Sequence, residues 1–127
     1  MPAKQLFEYA VIRVVPCVER EEFLNVGVIV YCPTKEFLKA AFEIDRSRLS
    51  VFSGRLDISE IEEHLLAFEC ICAGGVQAGP IGELPMGARF RWLTAPRSTI
   101  IQTSPVHTGF CVDPYETLAR LLPRLAR

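Results

Sequence analysis

The chain has 127 residues, with 14 lysines and arginines against 15 aspartates and glutamates and an apolar share of 50%. That near-neutral balance excludes a global pull toward nucleic acid or an anionic membrane surface, so any anion site must be local. The length predicts a single domain over residues 1–127, large enough to fold without a structural metal or a disulfide.

Mean hydropathy is +0.23, rich for a small domain, and suggests either an unusually aliphatic core or an apolar surface for a homo-oligomer or protein partner. The longest apolar run, residues 26–32, is too short to span a bilayer, and the first eight residues lack a signal-peptide pattern. No membrane segment and a cytoplasmic location are expected. The five cysteines (Cys17, Cys32, Cys70, Cys72 and Cys111) are odd in number, which favours reduced thiols. Cys70 and Cys72 point to opposite sides of a helix, and there is no CxxC pair, so neither a metal nor another cofactor is expected.

Residues 7–15 read as a central strand, apolar on both faces and ended by Pro16. A charged loop at residues 19–22 precedes a second strand over residues 24–31, in which Gly27 predicts a bulge or a close backbone approach. After a turn at residues 33–35, a third strand over residues 37–44 alternates. Leu38, Ala40, Phe42 and Ile44 face one way and Lys39 and Glu43 the other. Short connections make these three an antiparallel meander. Asp45 can cap a short helix ending at Phe52. A longer helix opens at Asp57 with Glu60 at the capping-box position, and Ile58, Ile61, Leu65, Phe68 and Cys72 form one apolar stripe. Gly74 and Gly75 stop it.

Residues 74–88 read as a long glycine-rich loop. A fourth strand is expected over residues 89–93, with Phe90 and Trp92 on one face and Arg89 and Arg91 on the other. Residues 98–104 form a fifth, and residues 105–109 a loop. Asp113, Pro114 and Glu116 open a last helix that Pro123 should kink or end. The expected fold is α+β: a mainly antiparallel sheet of about five strands, begun by the three-stranded meander, with two or three helices packed on one face.

Residues 84–112 contain no Asp or Glu, yet hold Arg89, Arg91, Arg97 and His107 among many hydroxyl and amide side chains. Fixed cations beside neutral donors are what a bound anion requires. The candidate anion-binding set is Arg89, Arg91, Arg97, Ser98, Thr99, Gln102, Ser104 and His107, centred on Arg97, Ser98 and Thr99. The alternative is the solvated side of an edge strand. Arg13 shares a mostly apolar strand face with Tyr9 and needs a partner if buried, so Arg13, Glu22 and Asn25 are assigned an orienting or structural role. An Arg13–Glu22 interaction is the specific expectation.

Two blocks carry a resemblance. One is Phe7-Glu8-Tyr9-Ala10-Val11-Ile12-Arg13-Val14-Val15-Pro16 continuing to Glu22-Phe23-Leu24-Asn25-Val26-Gly27-Val28-Ile29-Val30. The other is Arg89-Phe90-Arg91-Trp92 through His107-Thr108-Gly109. Together they resemble the bacterial domain of unknown function family 3037 over nearly the whole chain. The resemblance implies a small bacterial protein with no assigned activity and no catalytic residue to carry over. It also implies a gene neighbourhood with HipA-like kinases and hence such a kinase as protein partner. Cys17 stands where the resemblance implies a basic residue.

The leading reading is a non-catalytic cytoplasmic binding module for a protein partner or a small anionic ligand. A second reading is an enzyme acting on a phosphate-containing substrate, with Arg97 as clamp and His107, placed in a loop, as base. A third is nucleic-acid binding through Arg89, Arg91 and Trp92, against which the neutral net charge counts.

Overall fold

The computed structural model describes residues 3–16, 22–52, 57–97 and 99–126. Its elements are β1 (Gln5–Val14), β2 (Leu24–Cys32), β3 (Phe37–Phe42), α1 (Arg46–Phe52), α2 (Ile58–Ala73), α3 (Gly79–Gly82), α4 (Met86–Thr94), β4 (Ile101–Thr103), β5 (His107–Cys111) and α5 (Pro114–Leu125). All strand pairs are antiparallel. The order is β3-β2-β1, and both β4 and β5 then pair with the far edge of β1. This is the α+β sheet with the meander that the alternating and doubly apolar strands predict.

β1 is central because it is apolar on both faces. Ala10, Ile12 and Val14 join Ile29, Leu38 and Ala40 in one core, closed by Leu49, Ile61, Leu65, Phe68, Phe90 and Leu93. On the opposite face Phe7, Val28, Val30, Cys32 and Phe37 pack with Cys111, Leu118 and Leu121. Helices α2 and α4 therefore cover one face as expected, whereas α5 covers the other. A sheet whose middle strands are apolar on both sides leaves one side wet unless a helix closes each.

The pairing of β1 with β2 shifts register after Ile12, which faces Gly27, while Arg13 faces Asn25. Val26 is the extra residue of this bulge. A Cβ at Gly27 would lie 2.6 Å from the Ala41 carbonyl oxygen, so the close approach expected there is also present. Helix α2 starts where its cap predicts: the Asp57 carboxylate accepts from the Ser59 and Glu60 backbone N–H groups. Asp113 caps α5 through Tyr115 in the same way. Asp45 accepts from the Arg48 N–H at α1.

Four local expectations fail. Residues 89–93 are not a strand but lie within α4, where Phe90 is fully buried and Trp92 is 38% exposed. The Arg-Phe-Arg-Trp alternation mimics a period of two, yet Phe90 and Leu93, three apart, are what the core takes. The loop proposed for residues 74–88 is largely structured: it contains a turn of 3-10 helix at Val76–Ala78, all of α3 and the start of α4. The loop proposed around Gly109 is instead β5, because the first half of β1 (Gln5 to Tyr9) would otherwise present an open edge. The strand expected over residues 98–104 is shortened to β4.

Candidate functional site

The arginines of the acid-free window do not form one cluster. Arg89 is buried, and its Nε donates to the Leu84 carbonyl at 3.0 Å. Its Nη1 donates to the carbonyls of Ile71 at 2.9 Å and Cys72 at 2.7 Å. Those are last-turn carbonyls of α2 that lack helical donors, so Arg89 caps that helix from another segment. Gly74, at φ 77°, makes room for this: a Cβ there would lie 2.6 Å from Arg89 Nη1. Arg91 points to the surface, and its Nη2 donates to both Glu8 carboxylate oxygens at 2.8 Å. Arg89 is thus withdrawn from any anion surface, and Arg91 is neutralised by the protein's own carboxylate. A nucleic-acid face made of Arg89, Arg91 and Trp92 is not assembled.

Ser104 is likewise structural. It is 3% exposed, its N–H donates to the Val11 carbonyl, and its hydroxyl accepts from the Val11 N–H at 2.9 Å. The side chain completes the ladder where β1 passes from β4 to β5. Ser98 lies outside the described residues. His107 is exposed on β5 rather than in a loop, with its ring centroid 5.3 Å from that of Tyr9. Register places Tyr9 and His107 on the α5 side of the sheet, whereas Arg97 belongs to the α2–α4 side. The clamp-and-base pairing of Arg97 with His107 is therefore not formed.

Arg97, Thr99 and Gln102 do come together. They border a cleft of about 180 Å³ between α2, the end of α4 and β4. Its floor is apolar: Ala67, Phe68, Ile71, Leu93 and Ile101. His64, Trp92 and Thr103 complete the rim. The Arg97 guanidinium stacks on Trp92, with Cζ 4.1 Å from the ring centroid, and donates to the Trp92 carbonyl. Among the described residues no carboxylate lies within ion-pair distance of Arg97. Gln102 Nε2 donates to the Thr99 carbonyl at 2.9 Å, and Thr99 donates to the Ile101 carbonyl at 2.7 Å. These bonds hold the segment after Arg97 in a tight turn. His64 sits one turn from Glu60, at 3.8 Å.

Sequence reasoning overlooked His64, Trp92, Phe68 and Ile71 as lining residues. A usable signal exists: positions 64, 67, 68 and 71 follow a helical period beside the buried stripe of α2. For Trp92 the clue is its placement five residues before an arginine.

The family model described as Protein of unknown function (DUF3037) matches residues 9–126. The chain belongs to that family. No curated protein and no solved structure matches it. In this DUF3037 chain the matched span holds every cleft residue. It also holds Arg13, Glu22 and Asn25 and excludes Glu8, the partner of Arg91. Arg13 carries its guanidinium carbon 4.0 Å above the Phe23 ring. Arg13 Nε and Asn25 Oδ1 are buried and have no hydrogen-bond partner among the described residues. Glu22 is exposed. No metal-binding group of three His, Cys, Asp or Glu side chains occurs among the described residues, and no described helix is long and apolar enough to cross a membrane.

Proposed function

We propose that this DUF3037 protein is a non-catalytic binding module whose α2–α4–β4 cleft takes a ligand with an apolar body and one anionic group. The single supporting observation is the joining of Arg97, which has no carboxylate partner among the described residues, to an apolar floor of Phe68, Ile71, Leu93 and Ile101. In that arrangement the apolar body displaces water from the floor. The anion meets a guanidinium that Trp92 already holds flat, which lowers the entropy lost on binding. A small carboxylate fits this description, as does an acidic side chain presented by a protein partner such as a HipA-like kinase.

Trp92 is the only tryptophan in the chain and borders the cleft, so intrinsic fluorescence reports occupancy directly. Titration with aromatic and branched-chain carboxylates is expected to change the emission saturably, and inorganic phosphate, which has no apolar body, far less. Arg97→Ala should weaken binding by about tenfold or more, from the loss of one charge-assisted hydrogen bond. Ala67→Leu, which fills the floor, should weaken it without unfolding the helix. No emission change with any carboxylate, and no rise in melting temperature, removes the proposal.

A further inference from the structure

The second sheet face is only half covered. Helix α5 lies along β2 and β3. Tyr115 stands edge-on to Phe37, with centroids 4.8 Å apart, and Lys39 Nζ lies 5.1 Å from the same ring. Among the described residues no helix runs along the neighbouring strip made by β1, β5 and β4, although Phe7 and Cys111 at one end of it pack beneath α5.

Register shows what the strip presents. Phe7, Tyr9, Val11 and Arg13 share this face of β1, Phe7 and Val11 buried and Tyr9 and Arg13 half-buried; exposed His107 sits across from Tyr9, and Gln102 and Asn25 flank Arg13 on either side. The rings form a row: Tyr9 stacks against Phe7 at 5.7 Å and meets His107 at 5.3 Å. At the far end Arg13 covers Phe23, itself 44% exposed. None of these strand positions is acidic.

The helix supplies charge along one side. Tyr115 marks the flank of α5 that faces β3, whereas Thr117 touches the Cys111 thiol of β5 and marks the opposite flank. Arg120 and Arg124 follow Thr117 at three and seven residues, so they lie on that second flank, and both are exposed. The strip is thus a row of rings bordered by two exposed arginines, with Arg13 at its end. Glu8 lies between Phe7 and Tyr9 in sequence but faces the other side of the sheet, where it pairs with Arg91; Asp113 and Glu116 open α5. Arg13 Nε and Asn25 Oδ1, buried and without a hydrogen-bond partner among the described residues, lie in the same cross-strand row.

We propose that this strip binds single-stranded nucleic acid, with bases stacking on Tyr9, His107 and Phe23 and phosphates meeting Arg120, Arg124 and Arg13. An acidic peptide would engage the arginines but leave the row of rings unused, and a duplex would bury its bases away from them. A net charge of −1 makes the attraction local and strongly salt-dependent. The rings and arginines of this site lie on the other side of the sheet from Arg97; Gln102, at the sheet edge, borders both.

The test is fluorescence anisotropy of labelled oligonucleotides of about 12 nucleotides, within the span of known single-strand sites, at low and moderate salt. Single-stranded RNA or DNA should bind, a duplex of equal length should bind less, and a glutamate-rich peptide should not compete. The exposed double variant R120A/R124A should reduce the slope of log affinity against log salt by about 1.4, at about 0.7 per lost phosphate contact. His107→Ala, an exposed change that spares the core, should weaken binding by about tenfold through lost stacking. Arg97→Ala should change nothing in this assay, which separates it from the cleft reading. The proposal is overturned by the absence of binding at low salt, by affinity unmoved in both variants, or by tighter capture of the acidic peptide or duplex.

Discussion

Replacing Arg89 by methionine keeps most of the side-chain volume and removes three hydrogen bonds from a buried guanidinium. Bonds to a charged group are worth about 1.5–3 kcal/mol each, and water reaches the abandoned carbonyls only in part. Taking the lower end for each bond places the loss at about 4.5 kcal/mol, a large fraction of the 5–15 kcal/mol typical of a domain. For a chain of this size that corresponds to a fall in melting temperature of about 15 °C. Urea unfolding followed by Trp92 emission or far-ultraviolet circular dichroism measures it. Arg89→Lys should fall between, because one ammonium cannot span the carbonyls of Leu84, Ile71 and Cys72 together. Arg91→Ala is the control: Arg91 is 58% exposed and Glu8 17%, and a pair open to solvent on one side should contribute about 1 kcal/mol. If Arg89→Met cost no more than Arg91→Ala, the assignment of Arg89 as the cap of α2 would be refuted.

Other outcomes follow from the same geometry. Gly27→Ala should destabilise by about 1–3 kcal/mol, because the new methyl meets the Ala41 carbonyl at 2.6 Å and the sheet must shift to admit it; denaturation midpoints test this. Burial pushes the Cys72 thiol up to about 12 from an ordinary 9.0, so the native state holds a proton that the unfolded chain releases above pH 9. Stability from this group is therefore complete below pH 9 and is lost as pH rises from 9 toward 12. Cys72→Val should flatten the alkaline fall in melting temperature. Iodoacetamide labelling of the native protein should modify exposed Cys70 well before buried Cys72, as read by peptide mass spectrometry. Asp113→Ala should cost about 1 kcal/mol by removing the cap bond to the Tyr115 N–H.

Elements whose signals are local were legible in the chain. The Asp57 and Asp113 caps, the Gly74 stop, the α2 stripe and the meander follow from rules that act over a few residues. The anion-site reading was legible only in part. Arg97, Thr99 and Gln102 meet in one cleft, but Arg89, Arg91 and Ser104 have other partners. Those partners (the Cys72 carbonyl, Glu8, and the Val11 N–H) lie at 17, 83 and 93 residues' separation. Nothing in a short window carries information about contacts at that range.

By itself, the sequence determined the α+β class, the central place of β1, and the positions at which α2 and α5 begin, because apolar periodicity and caps are properties of neighbouring residues. The tertiary structure alone decided that residues 86–94 coil rather than extend, since Phe90 and Leu93 reach the core together only on a helix. It also decided which side of the sheet each cation serves. Charge in a sequence states only what could be attracted; the fold sets which carbonyl, carboxylate or open cleft each guanidinium meets.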